Sequence, residues 1–456
     1  MMQSINPATG ELVAEFDLHT EAQVDQALSA ATGAQSAWRR VSVIDRTRLL
    51  SAMARELRAG QDRFARLITE EIGKPITESL AEIEKCALTC DYYAENAPRF
   101  LADEEIGSNA THSAVVFDPL GVVLAIMPWN YPFWQFFRFA APALAAGNGA
   151  ILKHAANVPR CALAIEDVMR KAGCPDGLMR TLLVPSSGVA AMIEDDRIAA
   201  VTLTGSTQVG QIVASQAGRA LKKQVLELGG SDPFIVLPDA DIATAAQVAV
   251  KARFINVGQS CVNAKRFIVH DDIAEAFTEA FAAGIRALKT GDPMDPATQI
   301  GPMARRDLRD ELHDQVTRSI TDGATLAIGG APLEGPGCYY APTLLDRVTP
   351  AHTSFREELF GPVASVIRCS SAEEAVALAN DTEFGLGAAV WTGDAALARR
   401  MSREIDAGAV FINGMVASDP RLPFGGIKKS GYGRELGSYG LREFTNMKTV
   451  WTGPAR

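Results

Sequence analysis

The segment Ala199–Gly210, A-A-V-T-L-T-G-S-T-Q-V-G, decides the fold class of this chain. Its apolar first half predicts a strand over Ala199–Thr204, and its second half opens a helix predicted over Gln208–Ala220. Where a strand is followed by a glycine turn and the start of a helix, backbone amides can face a diphosphate. The G-x-x-x-x-G spacing is equally typical of an ordinary helix cap, so it yields candidates only. The candidate ligands are Gly205, Ser206 and Gly210.

The same alternation of strand and helix continues on both sides of this segment. Strands that follow one another through helices at this spacing predict parallel sheets with crossover helices. The predicted strands are Val122–Met127, Ala150–Leu152, Val225–Leu228, Phe234–Leu237, Phe267–Val269 and Pro362–Arg368. The predicted helices are Glu21–Arg39, Asp45–Ile72, Arg160–Ala172, Ile242–Val257 and Ile273–Leu288. A second α/β stretch begins after Gly229, so we predict an α/β protein with two lobes and a ligand cleft between them.

The composition is that of a folded, acidic protein. Hydrophobic residues make up 47% of the 456 residues, charged residues make up 21%, and the formal net charge is −10. This acidic balance argues against a nucleic-acid partner. The seven cysteines are scattered without a C-x-x-C pair, which indicates neither a disulfide framework nor a metal site. No apolar signal segment opens the chain, and prolines interrupt the apolar run Pro119–Phe137, so we expect a cytoplasmic protein without a membrane partner.

Cys261 is a candidate nucleophile because it follows small residues in the sequence Gly258-Gln259-Ser260-Cys261. A substrate and backbone amides can approach a cysteine in such surroundings. Most cysteines are buried hydrophobic residues, and that reading stays open at this point. The six histidines are scattered without a protease pattern, so a Cys-His hydrolase on another fold is an alternative that the sequence does not support.

Two polar residues end apolar strands and are also candidates. Glu227 stands at the end of the predicted strand Val225–Leu228, where a carboxylate needs a cavity or a partner, so it is either a general base or a salt-bridged residue. Asn130 follows the strand Val122–Met127, and its amide could donate to an oxyanion or serve only as a turn residue.

Six motifs occur in one order and together resemble the aldehyde dehydrogenase superfamily along essentially the whole chain. The resemblance implies a Rossmann-type cofactor domain, an α/β catalytic domain and a small β oligomerisation arm. The motifs are Pro128-Trp129-Asn130, Thr204-Gly205-Ser206, Glu227-Leu228-Gly229-Gly230, Gly258-Gln259-Ser260-Cys261, Glu358-Leu359-Phe360-Gly361-Pro362 and Pro423-Phe424-Gly425-Gly426-Ile427-Lys428.

The resemblance also implies domain bounds and an assembly. It places the dinucleotide-binding domain at 1–103 and 119–228, the catalytic domain at 229–428 and the arm at 104–118 and 443–456. Both arm segments alternate toward β character, and an edge strand of this kind is explained if a partner sheet covers it. We therefore expect a homodimer or a homotetramer.

The resemblance implies a role for each candidate. Cys261 attacks the aldehyde carbonyl, Asn130 and the Cys261 backbone amide hold the oxyanion, and Glu227 activates the water that releases the acid. The cofactor, NAD or NADP, takes the hydride, and no metal is required. Lys153 and Glu358 match residues that hold the cofactor's ribose hydroxyls. Further cofactor contacts implied in this way are Pro128, Trp129, Ala156, Gly205, Ser206, Gly210, Leu228, Gly229 and Phe360.

One departure from the family pattern concerns the cofactor. The usual Lys-Pro-x-Glu segment reads Lys153-His154-Ala155-Ala156 here, so the carboxylate that would repel a 2′-phosphate is missing. The sequence therefore predicts that either NAD or NADP serves. His154 is interpreted as a spacer beside the ribose and not as a catalyst.

The substrate is predicted from arginines. The chain is most similar to bacterial NAD(P)-dependent succinate-semialdehyde dehydrogenases, which have a carboxylate-binding arginine at the place of Arg138. Its aromatic neighbours favour that role over a solvated surface arginine. The family's other arginine falls at Ile255, so we expect a different residue to complete the contact to a small carboxy aldehyde. The candidates are Ser418, Arg421 and Arg253.

Two rival functions belong to the same fold. A dehydrogenase that acylates coenzyme A would tend to lack a glutamate at position 227, and this chain retains Glu227. A catalytically silent relative would be expected to lack Cys261 or Asn130, and both are present. The sequence therefore favours a hydrolytic aldehyde dehydrogenase.

Overall fold

The computed structural model describes residues 1–454, which begin with a β-hairpin that was not among the predicted elements. A glycine, Gly60, ends one helix where the sequence predicts a continuous helix over Asp45–Ile72. The elements are β1 (Met2–Ile5), β2 (Leu12–Phe16), α1 (Glu21–Trp38), α2 (Val43–Ala59), α3 (Gln61–Ile72), α4 (Ile76–Phe100), β3 (Glu104–Glu105) and β4 (His112–Pro119).

The first lobe is built around a sheet in which four of the five parallel strands lie close to predicted strands, and one short strand was not predicted. Its elements are β5 (Val122–Met127), α5 (Pro132–Ala146), β6 (Gly149–His154), α6 (Pro159–Lys171), β7 (Met179–Thr181), α7 (Val189–Glu194), β8 (Ile198–Thr204), α8 (Thr207–Arg219) and β9 (Lys223–Glu227). The strand order β9-β8-β5-β6-β7 is parallel throughout. This is the doubly wound arrangement that crossover helices produce.

The second lobe has its own, mostly parallel sheet. Its elements are β10 (Asp232–Val236), α9 (Ile242–Phe254), β11 (Ala264–His270), α10 (Asp271–Arg286), α11 (Arg306–Thr321), β12 (Thr325–Ile328), β13 (Thr343–Val348), α12 (Thr353–Arg356), β14 (Val363–Cys369), α13 (Ala372–Asn380), β15 (Gly387–Trp391), α14 (Ala395–Glu404) and β16 (Ala409–Ile412). The strand order is β12-β13-β14-β11-β10-β15-β16, with only the β12–β13 pair antiparallel.

After the second lobe the chain returns to the first. Strand β17 (Gly431–Tyr432) pairs with β9, α15 (Gly437–Glu443) follows, and β18 (Thr445–Thr452) pairs antiparallel with β4. The predicted domain bounds leave 429–442 unassigned, and these residues lie on the first lobe. Strands β18, β4 and β3 form the small sheet at the place of the predicted arm, whose last two residues, 455–456, lie outside the described part of the chain.

The apolar run Pro119–Phe137 becomes β5 and the first half of α5. Every residue of α5 is buried, because the helix packs between the sheet of the first lobe and α4. Among the described residues, no helix combines the length and the apolar character that a membrane span requires.

The site lies where two sheet edges face each other. Strands β5, β8 and β9 are neighbours, so the residues that follow them meet at one carboxyl edge of the first sheet. Strands β10, β11 and β14 are neighbours in the second sheet, and the residues that precede them meet at its amino edge. The two edges together border one cavity between the lobes.

Candidate active site

The loop before β11 carries Cys261 to the interface between the lobes. Asn256 and Val257 adopt left-handed backbone conformations, with φ of 54° and 56°, and turn the chain sharply after α9. Lys265 Nζ donates hydrogen bonds of 2.8 Å to the carbonyls of Ser260 and Cys261. The turn and the buried lysine fix the backbone on which the Cys261 thiol lines two separate cavities.

The resting thiol of Cys261 is protonated. Burial raises its pKa to about 12, and Glu358 and Glu227 act in the same direction, whereas Lys265 and Arg138 lower the pKa. Since the thiolate is the nucleophile, the site needs a proton acceptor before it can attack a carbonyl.

The side chain of Asn130 is held beside the nucleophile loop. Its Nδ2 donates a hydrogen bond of 3.0 Å to the carbonyl of Gln259. Asn256 Nδ2 donates to that same carbonyl and to the carbonyl of Asn130, at 3.0 and 2.9 Å. One of the two Asn130 amide hydrogens is used in this way, which leaves the other for a ligand.

Glu227, the last residue of β9, is a buried carboxylate without a hydrogen-bond partner. It is 1% exposed, and neither oxygen accepts a hydrogen bond from the described residues. Burial raises its pKa well above the ordinary range, nearby Glu435 raises the pKa further, and Arg138 and Arg434 lower it. An unpaired buried carboxylate with a raised pKa is what a general base requires.

Arg138 and Glu435 form a buried ion pair close to Glu227. Arg138 Nε contacts a Glu435 carboxylate oxygen, and both side chains are at most 3% exposed. The guanidinium also donates to Thr204 Oγ1 at 3.3 Å and lies 4.7 Å from the centre of the Phe424 ring. The positive charge of Arg138 is therefore compensated within the protein.

The first cavity, of about 390 Å³, lies between the two sheet edges. Its surface comes from the ends of β5, β8 and β9 and from the loops before β11 and β14. Eight predicted cofactor contacts line it, namely Pro128, Trp129, Gly205, Ser206, Leu228, Gly229, Glu358 and Phe360.

Glu358 is held so that one carboxylate oxygen borders this cavity. Its Oε1 accepts hydrogen bonds of 3.1 Å from the Gly230 amide and from Lys265 Nζ. A Cβ at Gly229 would lie only 2.5 Å from Oε2, so the glycine keeps the space beside that oxygen open.

Three predicted cofactor residues do not line the first cavity. Gly210 lies inside α8, where a Cβ would meet Leu228 at 2.4 Å, so it serves close packing of the helix on the sheet. Burial lowers the pKa of Lys153 at the end of β6, and Ala156 is exposed just beyond that strand. Between them, His154 is buried and neutral, because its ring nitrogens bond the Pro132 carbonyl and the Ala155 amide and burial lowers its pKa to about 4.

The second cavity, of about 190 Å³, lies on the other side of Cys261. Helices α4 and α5, the nucleophile loop and the loop 415–418 border it. Its polar and charged lining includes Glu78, Glu82, Lys85, Gln135, Arg138 and Ser418.

Comparison with known proteins identifies the family. Residues 1–450 match the family model described as "Aldehyde dehydrogenase family". The chain belongs to the aldehyde dehydrogenase family. It is 50% identical to the succinate semialdehyde dehydrogenase (NAD(P)+) of Escherichia coli K12 over 98% of this chain and 97% of that protein. It is also 50% identical to the succinate-semialdehyde dehydrogenase (NADP+) of Mycolicibacterium paratuberculosis, over 99% of this chain and 97% of that one.

Solved structures agree with this family membership. The crystal structure of succinic semialdehyde dehydrogenase from Streptococcus pyogenes, in complex with NADP+, matches the model with a TM-score of 0.97 at 36% identity, and the match covers 100% of both chains. The predicted α/β class and the predicted resemblance to aldehyde dehydrogenases are therefore confirmed.

The structure places two of the predicted substrate residues of this aldehyde dehydrogenase outside the lining of both cavities. Arg253 is fully buried behind the nucleophile loop, and its guanidinium donates to backbone carbonyls, including that of Leu359 at 2.8 Å, so it faces neither cavity. Arg421 is exposed and bonds Asp419 at 2.5 Å. The remaining candidate, Ser418, lines the second cavity.

Three residues of this site were not predicted from the sequence. Glu435 pairs with Arg138, Lys85 Nζ donates to Ser418 Oγ at 2.7 Å, and Gln135 lines both cavities. One signal was available for Lys85, since Glu78, Glu82 and Lys85 recur at helical spacing and lie on one face of α4. No local sequence pattern points to Glu435, because its partner Arg138 lies almost three hundred residues earlier in the chain.

Proposed function

We propose that this aldehyde dehydrogenase oxidises succinate semialdehyde, or a similar short ω-carboxy aldehyde, to the acid with NAD or NADP, and that water is the acyl acceptor. One observation carries the proposal. Cys261 lines both cavities, so an aldehyde bound in the second cavity can be attacked and can pass its hydride into the first. The relatives named for succinate semialdehyde support the substrate class.

The first step joins Cys261 to the aldehyde. Cys261 gives its proton to the Glu227 carboxylate, from which it passes to solvent, as Sγ bonds the carbonyl carbon, and the carbonyl oxygen becomes an oxyanion. The remaining Asn130 amide hydrogen and the Cys261 backbone N–H stabilise that oxyanion, because both are neutral donors fixed in advance by the nucleophile loop. Neutral donors favour hydride departure, since they leave negative charge on the oxygen of the thiohemiacetal. Loss of hydride leaves a thioester on Cys261.

Glu227 releases the product. Its carboxylate lies beside Gly425, where a Cβ would meet Oε1 at 2.7 Å, so this space exists only with glycine. A water that gives its proton to Glu227 attacks the thioester carbon, and the acid leaves as the Cys261 thiol is restored. The raised pKa of Glu227 places its ionisation nearer the operating pH, where it can accept and return a proton.

The first cavity fits a dinucleotide. Ser206 caps α8 with a hydrogen bond from the Val209 amide at 3.4 Å, so the first turn of the helix presents backbone amides beside the lining residues Gly205 and Ser206. Glu358 Oε2 is free to accept from a ribose hydroxyl. NAD or NADP held there would supply the hydride acceptor.

Both dinucleotides are expected to serve. Ala156 lies exposed beyond β6 and has no carboxylate to repel a 2′-phosphate. Lys153 lies at the end of the same strand, and its ammonium would donate a hydrogen bond to the ribose of either cofactor.

The assembly and its location are proposed from the arm and the cysteines. Strand β18 is mostly exposed and contributes Met447 and Trp451 to an open face, which a second copy in a homodimer or homotetramer would cover. The seven cysteines are all free, as expected for the reducing cytoplasm.

A panel of aldehydes tests the reaction and its substrate class together. Succinate semialdehyde and butanal, each with NAD and with NADP, are followed by nicotinamide absorbance without coenzyme A. We expect turnover with both cofactors and a kcat/KM for succinate semialdehyde at least roughly 30-fold above that for butanal. Absence of turnover without coenzyme A would overturn hydrolysis, and equal kcat/KM for the two aldehydes would overturn the substrate class.

A further inference from the structure

The lining of the second cavity includes a positively charged side chain that was not among the predicted substrate residues. Of three basic side chains, Lys85 and Arg138 line the cavity and Arg421 follows the lining residue Ser418 by three residues, and two of the three already have an acidic partner. Arg138 is paired with buried Glu435, and Arg421 is paired with Asp419 at the surface. The third, Lys85 on α4, forms no ion pair among the residues that the structure describes, since no carboxylate oxygen lies within 4 Å of its Nζ.

The acids on the same face of α4 are committed elsewhere. Glu82 contacts Lys74 and also accepts hydrogen bonds from the amides of Phe133 and Trp134, which cap α5. Glu78 accepts the Asn256 amide at 2.7 Å. Lys85 therefore projects into a cavity in which the nearby negative charges are already bound by other groups.

The ammonium of Lys85 is held in place and still has donors to spare. Its Nζ donates to Ser418 Oγ at 2.7 Å and lies 4.2 Å from the centre of the Trp134 ring. A lysine ammonium has three donors, so two remain for a ligand. Ser418, which accepts from Lys85, can in turn donate its own hydroxyl hydrogen to the same ligand.

We propose that Lys85, with Ser418, binds the terminal carboxylate of the substrate and sets the preference for carboxy aldehydes. The inference rests on the proposed function, because it assigns the opposite end of the aldehyde that Cys261 attacks. Both residues line the cavity that the Cys261 thiol also lines, so one short substrate can span the two. A partly buried ammonium is poorly screened by water, and its charge-assisted hydrogen bond to a carboxylate is correspondingly strong.

Lys85→Met tests the assignment, since methionine retains much of the aliphatic volume over Trp134 and removes the charge. We expect kcat/KM for succinate semialdehyde to fall roughly 30-fold or more, mainly through KM, and that for butanal to change by less than about threefold. Lys85→Arg should recover part of the loss. Lys171→Met is the matched control, because Lys171 is exposed on α6 and the same charge is removed away from both cavities.

A second measurement does not depend on turnover of the charged substrate. Succinate should inhibit butanal oxidation by occupying the carboxylate contact, and Lys85→Met and Ser418→Ala should each weaken that inhibition several-fold. A parallel loss on both aldehydes, or unchanged selectivity in Lys85→Met, would overturn the assignment. If the wild-type enzyme itself shows no preference for succinate semialdehyde, the proposed function fails. If the wild type has the preference and Lys85→Met keeps it, only the role of Lys85 fails.

Discussion

The two cavities that share Cys261 are lined by different kinds of groups. Strand ends, glycine turns and α11 line the first, and the backbone amides at Gly205 and Ser206 are set by the fold. Long side chains on α4 and α5 form much of the second, where Lys85 supplies a positive charge that is not paired with a described carboxylate. A backbone amide remains when the side chain of its residue is substituted, whereas a charge carried by one side chain is lost. Substrate preference should therefore be easier to change than cofactor chemistry.

Removing the residue common to both cavities should have the largest effect. Cys261→Ala should reduce turnover by roughly a thousandfold or more, because no other group can form the covalent intermediate. Binding of NAD and NADP, measured by fluorescence titration, should be nearly unchanged, since the first cavity is otherwise intact. Cys174→Ala, outside both cavities, is the control and should retain wild-type turnover. Substantial activity in Cys261→Ala would remove this residue from the mechanism.

Arg138 separates a structural role from a substrate contact. Arg138→Met should destabilise the folded protein by about 3 to 5 kcal/mol in urea unfolding, because it leaves the buried Glu435 carboxylate unpaired. Activity on succinate semialdehyde and on butanal should fall in parallel, since the unpaired carboxylate lies beside Glu227. Addition of Glu435→Gln should restore part of the stability. A selective loss on succinate semialdehyde at unchanged stability would instead support the role predicted for Arg138 from the sequence.

The contrast between the cavities also explains how far the sequence could be interpreted. Asn130, Gly205 and Glu227 each follow an apolar run, so the strand pattern alone brings them to one sheet edge. The charge available in the second cavity depends on pairs far apart in sequence, such as Arg138 with Glu435. Short motifs do not reveal such pairs, and for this reason they did not point to Lys85 and gave no sign that Arg253 lies outside both cavities.

The missing carboxylate at position 156 should affect only the choice between cofactors. Ala156→Glu should raise KM for NADP by about tenfold and leave KM for NAD within about twofold, because a carboxylate repels a 2′-phosphate. Ala156→Gln, of the same size and uncharged, should leave both values near wild type. Equal effects of glutamate on both cofactors would place Ala156 away from the 2′ position.

The pH should change the KM of a substrate whose carboxylate contacts Lys85 and should leave the KM of butanal unchanged. The pKa of Lys85 is lowered to about 8, chiefly by burial and then by Arg138, although Cys86, Glu82 and Asp419 raise it. The ammonium is charged below that pH and neutral above it, so KM for succinate semialdehyde should rise several-fold from about pH 7 to about pH 9.5. KM for butanal, and both KM values in Lys85→Met, should stay nearly flat. A flat profile for succinate semialdehyde in the wild type would contradict this expectation.

The central claim is that Cys261, which lines both cavities, holds the acyl group as a thioester, and mass spectrometry of Glu227→Gln tests it most directly. With deacylation slowed, succinate semialdehyde and NAD or NADP should leave a succinyl thioester on the peptide that contains Cys261, together with a burst of reduced cofactor. The adduct should require the oxidised cofactor, because hydride must leave before the thioester forms. No adduct despite a burst, or an adduct on another residue, would contradict the account.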